Sequence, residues 1–96
     1  MKVSESIISN LLIEVDSLTY RLRNIKQSFI TTYNVGLRER LIYENKNIID
    51  RVNEIHKVSE LINSRTTEKI NFSALLLEKV KRTLYEIRKE SNLFLL

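Results

Sequence analysis

The chain has 96 residues, with no cysteine, no proline, one glycine and a formal charge of +4 at pH 7. That length suits one small domain with a modest core. The missing cysteine excludes disulfides, thiolate metal sites and cysteine nucleophiles, a lone glycine excludes a glycine-rich phosphate loop, and the mildly basic balance permits an anionic partner without demanding one.

No apolar run approaches the roughly 20 residues needed to span a bilayer. The stretch Met1-Lys2-Val3-Ser4-Glu5 lacks the apolar core and small-residue cleavage site of a signal peptide. No membrane span is expected, and the expected location is cytoplasmic.

The first helix is expected over residues 4–33. Ser4 is a favourable N-cap, Glu5 suits the positive end of the helix dipole, and Val3 and Ile8 have the spacing of a hydrophobic staple. Ile8, Leu11, Val15, Leu18, Leu22, Ile25 and Phe29 follow at alternating steps of three and four, a heptad seam that places seven apolar side chains on one stripe. Ile30-Thr31-Thr32 weakens the helix, because β-branched residues have low helix propensity. Asn34-Val35-Gly36 punctuates the chain, with Gly36 expected to take the left-handed conformation that ends many helices.

The second helix is expected over 37–63, with the register Leu41, Asn45, Ile48, Val52, Ile55, Ser59 and Ile62. Two of these positions are polar, which costs stability but can fix register. Ile42, Ile49, Val58 and Leu61 widen its apolar face, and Arg40/Glu44 and Lys46/Asp50 have ion-pair spacing. Ser64-Arg65-Thr66-Thr67 is the second break. The third helix is expected over 67–94, with a later start at Asn71 or Ser73 as the alternative, and a seam of Ile70, Ser73, Leu77, Val80, Leu84, Ile87, Ser91 and Phe94. Short connections force antiparallel neighbours. The fold expected is an all-α, antiparallel up-down-up three-helix bundle with coiled-coil-like heptad seams, a single helical domain over 1–96.

Catalytic signals are weak. His56 is followed by Lys57, Val58 and Ser59, which match neither the Lys-Gly of phosphotransfer bundles nor the acidic residue and proline of histidine-kinase helices. Glu14/Asp16 and Glu86/Glu90 are the closest carboxylate groupings, and they read as solvated helix surface. No enzyme activity, cofactor, metal site or small-molecule substrate is expected.

Two surface features carry the functional expectation. In an up-down-up bundle, Arg21, Arg23, Lys26, Arg38, Arg40, Lys46, Arg88 and Lys89 gather toward one tip and form a candidate anion or nucleic-acid contact. Ile13, Tyr20, Ile30, Ile42, Ile49, Leu75 and Tyr85, with the tail Leu93-Phe94-Leu95-Leu96, lie outside the seams and exceed what one small core covers, so they are candidate protein interface. The leading expectation is a non-enzymatic interaction, adaptor or regulatory protein that acts through an apolar helical surface as a homodimer. The rival is a nucleic-acid-binding regulatory protein that uses the basic tip.

Overall fold

The computed structural model describes residues 5–65 and 71–90. They form three helices, α1 (Glu5–Thr31), α2 (Val35–Arg65) and α3 (Asn71–Glu90), each packed against the other two. The Ser4 cap, the Val3 staple, a start of the third helix at Thr66 or Thr67, Ile70 of its seam and the Leu93–Leu96 tail lie outside the described residues.

Burial follows the apolar periodicity of the first two helices. On α1, Ile8, Val15, Leu18, Ile25 and Phe29 are buried, with Leu11, Leu12 and Leu22 half-buried against them. On α2, Leu41, Ile48, Val52, Ile55 and Ile62 complete the same cluster. Asn45 is half-buried, and the buried Ser59 donates its hydroxyl to the Ile55 carbonyl at 2.6 Å. That bond lets a polar residue sit in the core without an orphaned group.

The break after α1 differs from the expected one. Residues 32–34 leave the helix, and α2 already begins at Val35. Asn34 is the cause. Its side-chain Oδ1 accepts from the Leu37 amide at 3.0 Å, and its carbonyl accepts from the Arg38 amide at 2.9 Å. Those two bonds make it the N-cap of α2. Gly36 therefore lies in the first turn of α2, and no glycine has a positive φ. The expectation of a left-handed glycine is corrected: the connection turns on a capping side chain, not on glycine's extra freedom. On the other side of the bend, Arg38 stacks over the Phe29 ring at 4.1 Å and donates to the Thr32 carbonyl at 3.3 Å, which ties the two helix ends together.

α3 is rotated from the expected register. Leu76 is fully buried, whereas Leu77 is only half-buried. The buried set is Leu76, Val80, Thr83 and Leu84, with Ile87 packed against it. Three successive leucines, 75–77, leave the phase at the start of this helix open, and the buried Thr83 lies on the same side as Leu76. The Thr83 hydroxyl lies 3.1 Å from the Thr19 hydroxyl of α1 and 3.0 Å from the Lys79 carbonyl, while Thr19 lies 2.8 Å from the Val15 carbonyl. Two hydroxyl hydrogens serve three short contacts, so the pair forms a small shared network that an apolar phase reading does not anticipate.

Two outcomes test this account by thermal or urea melts. Leu76→Ala should cost about 2–5 kcal/mol, as for a fully buried leucine, and clearly more than Leu77→Ala. Gly36→Ala should stabilise, by up to about 1 kcal/mol, because the backbone there is helical and an added Cβ meets only Asn34 Oδ1 at 3.4 Å. A destabilised Gly36→Ala protein would restore the left-handed turn.

Candidate functional site

The charged flanks of α1 face its neighbours. Toward α2, Glu14 receives Arg51 through two bonds, Nε to Oε2 at 2.5 Å and Nη2 to Oε1 at 2.8 Å, and Arg21 reaches Glu44 at 2.6 Å. Toward α3, Asp16 holds Lys79 at 3.1 Å and Arg23 lies 3.7 Å from Glu86. Helical spacing would give Glu44 to Arg40 on its own helix; the structure pairs it with Arg21 of α1. Arg51 also binds Glu54 one turn further along α2 at 3.1 Å.

With those charges on the flanks, the outward stripe of α1 carries none. Ser6, Ser9, Asn10, Ile13, Ser17, Tyr20, Asn24, Gln27, Ser28 and Thr31 recur at three- and four-residue steps, and all are exposed. Ile13 is 65% and Tyr20 66% exposed, in the middle of an uncharged polar strip. The outward positions of α2 are different, with Glu39, Lys46, Asp50, Glu54 and Lys57 all exposed, and those of α3 include Glu78, Lys81, Arg82 and Lys89.

The expected apolar interface residues among the described ones are spread over three helices. Ile13, Tyr20 and Ile30 lie on α1, Ile42 on α2, and Leu75 and Tyr85 on α3; all are exposed, while Ile49 is half-buried. Val58 and Leu61, expected to widen the apolar face of α2, are exposed as well. Ile13 and Tyr20 stand apart because they share one face, seven residues or two turns apart.

The expected basic tip is largely engaged within the chain. Arg21 and Arg23 hold carboxylates of α2 and α3, Arg38 covers Phe29, and Lys26 and Arg88 each make a contact of their own. Arg40, Lys46 and Lys89 are exposed. Counting cations by their level along the bundle misses this, because it ignores which carboxylate each one meets.

The reactive side chains are also in local contacts. His56 Nε2 lies 3.1 Å from Glu60 Oε1, one turn along the same helix. Among the described residues, no three of His, Cys, Asp and Glu gather as a metal site, and no buried side-chain nitrogen or oxygen lacks a partner. No described helix is long and apolar enough to cross a membrane. Comparison with known proteins found no matching family model, curated protein or solved structure.

Sequence reading found Ile13 and Tyr20 as surplus apolar residues but missed the strip around them. The signal was present as an absence: no Lys, Arg, Asp or Glu occupies the outward phase of α1 between Ser6 and Thr31.

The Glu14–Arg51 pair carries a pH-dependent prediction. Its hydrogen bonds and the Arg51 charge hold the Glu14 carboxyl below the usual glutamate range, against the opposing effect of burial. A lowered folded-state value means that the stabilisation is present above the unfolded value and is lost as pH falls through the folded one. Both partners are more than a third exposed, so solvent screening keeps the effect small. Glu14→Gln should lower the melting temperature at about pH 7, and the deficit should shrink steadily as pH falls below the usual glutamate range. An equal deficit at every pH would mean that Glu14 acts by packing alone.

Proposed function

We propose that this chain is a non-enzymatic interaction protein that self-associates through the outward face of α1. The observation that carries the proposal is the uncharged strip from Ser6 to Thr31 with Ile13 and Tyr20 at its centre. A helix that faces only water ordinarily bears charge there. Interface cores, by contrast, are depleted in charge and enriched in aromatic residues.

A second copy of the chain is the occupant that suits this face. A two-fold contact sets the same patch against itself. Charged faces of one sign repel in such a contact, whereas a strip of Ser, Asn and Gln around Ile and Tyr carries no charge of its own, and the bordering Asp16 and Arg23 are paired with α3. Size sets the strength. The 27 residues of α1 span about 40 Å, and a strip about 10 Å wide gives roughly 400 Å² per copy. Stable complexes bury roughly 800 Å² per partner. Self-association through α1 alone is therefore weak and depends on concentration.

The same reading gives the helices an up-down-up order with coiled-coil-like seams. The order of the ion pairs supports it. From Glu14 to Arg21 the chain advances seven residues along α1, and the partners step back seven along α2, from Arg51 to Glu44. From Asp16 to Arg23 the partners instead advance seven along α3, from Lys79 to Glu86. Antiparallel α1–α2 and parallel α1–α3 neighbours have those two patterns.

The test is light scattering coupled to size exclusion across about 1 µM to about 1 mM, the range of a weak complex. The mass should rise from one chain toward two. Ile13→Lys and Tyr20→Lys should each return it to one chain, with melting changed by less than about 0.5 kcal/mol because both residues are exposed. Ile42→Lys, on a different helix, should leave association intact. One-chain mass throughout the range would sink the proposal.

A further inference from the structure

α3 carries a surface of the opposite character. On a helix, the nearest surface neighbours of any residue lie three and four positions before and after it. For Tyr85 those four are Lys81, Arg82, Arg88 and Lys89, and all four are exposed, as is Tyr85 itself. The other two helical tyrosines have no such ring. Around Tyr20 stand Asp16, Ser17, Arg23 and Asn24, and around Tyr43 stand Glu39, Arg40, Lys46 and Asn47.

Folding does not require this arrangement. Tyr85, 66% exposed, adds little to the core. Two carboxylates of α3 lie nearby: Glu86 is turned toward Arg23 of α1, and Glu78 pairs with Arg82 at 3.0 Å, an exposed ion pair for which a phosphate competes.

We propose that this face of α3 binds single-stranded nucleic acid, with a base stacked on the Tyr85 ring and the flanking phosphates held by Lys81, Arg82, Arg88 and Lys89. An aromatic ring bordered by cations matches what a single strand offers, a π-face bordered by phosphates. Lys81 and Lys89 are eight residues apart, about 12 Å along the axis, the length of about three or four stacked nucleotides at about 3.4 Å each. A duplex keeps its bases stacked on one another and leaves Tyr85 no partner. An acidic protein segment uses the cations but not the ring. A membrane surface needs a broad apolar face, and Tyr85 is the sole large apolar side chain among the outward positions of 78–89.

Fluorescence anisotropy with the full chain and labelled oligothymidylate of about 15 nucleotides tests this, with the matching duplex, polyglutamate and vesicles of anionic lipid as competitors. Four phosphate contacts to a single strand predict that affinity falls about 50-fold between about 50 and 200 mM salt. Lys81→Gln with Lys89→Gln should reduce that fall to about 7-fold. Tyr85→Ala should weaken binding by about 5- to 150-fold with the salt dependence unchanged, while Tyr85→Phe keeps most of it, since stacking needs the ring and not the hydroxyl. Circular dichroism melts confirm that each variant is folded. Ile13→Lys, on α1, should bind the oligonucleotide with the same salt dependence, so failure here is separable from failure of self-association. Absence of binding at about 50 mM salt overturns the proposal. So does an affinity indifferent to Tyr85→Ala, or stronger competition by duplex, polyglutamate or vesicles than by unlabelled oligothymidylate.

Discussion

The structure depends on covering one stripe of α1 from two sides at once. Ile8, Val15, Leu18, Ile25 and Phe29 need more cover than a single neighbouring helix supplies, so α2 and α3 both pack against α1 and against each other. Full burial of each such side chain contributes roughly 1.5–3 kcal/mol. The ion pairs on the flanks of α1 are exposed and contribute at most about 1 kcal/mol each. Apolar burial thus decides that the helices pack. The pairs and the Thr19–Thr83 contact discriminate among registers that bury similar apolar area, because a slip of seven residues keeps the apolar stripes facing one another but breaks the pairs and that contact.

Much of this is legible in the sequence because α1 and α2 have unambiguous apolar phases. The three–four spacing of Ile8 through Phe29 and of Leu41 through Ile62 marks the buried side chains of both helices. On α3 it marks Val80, Leu84 and Ile87 but takes Leu77 for Leu76, because Leu75, Leu76 and Leu77 offer three apolar phases, and it passes over the buried Thr83, a polar residue that apolar counting discards. Gly36 misled in a similar way. Glycine is the conspicuous residue at the bend, but its freedom is unused, and the turn is made by Asn34, whose side chain supplies an acceptor to the first turn of α2.

The surfaces were harder to read, because partnerships between helices decide them. Arg21 and Arg23 look like members of a basic cluster until Glu44 and Glu86 arrive from α2 and α3. Ile42 and Ile49 look like equal members of an apolar patch, but folding leaves Ile42 exposed and Ile49 half-buried. Two coherent faces remain: the outward side of α1, with Ile13 and Tyr20, and the exposed cations that surround Tyr85 on α3. Neither stands out by composition. The first is an absence of charge at one helical phase, and the second is a local arrangement within a chain of only modest net charge.

These two faces lie on different helices, and that separation has a consequence for binding. If copies associate through α1 as proposed, α3 remains available on both, and one assembly would present two cationic faces. A strand long enough to reach both binds the second at an effective concentration set by the spacing, without any new contact. The small area of the α1 face would then matter less, because the strand itself would hold the copies together. By linkage, whatever a bound strand gains from pairing the rings, the α1 contact gains in strength. Two surfaces that are each weak alone become mutually reinforcing, and a neutral association face serves that arrangement better than a charged one: it survives the salt that weakens the cationic rings, so the two contacts respond to different conditions.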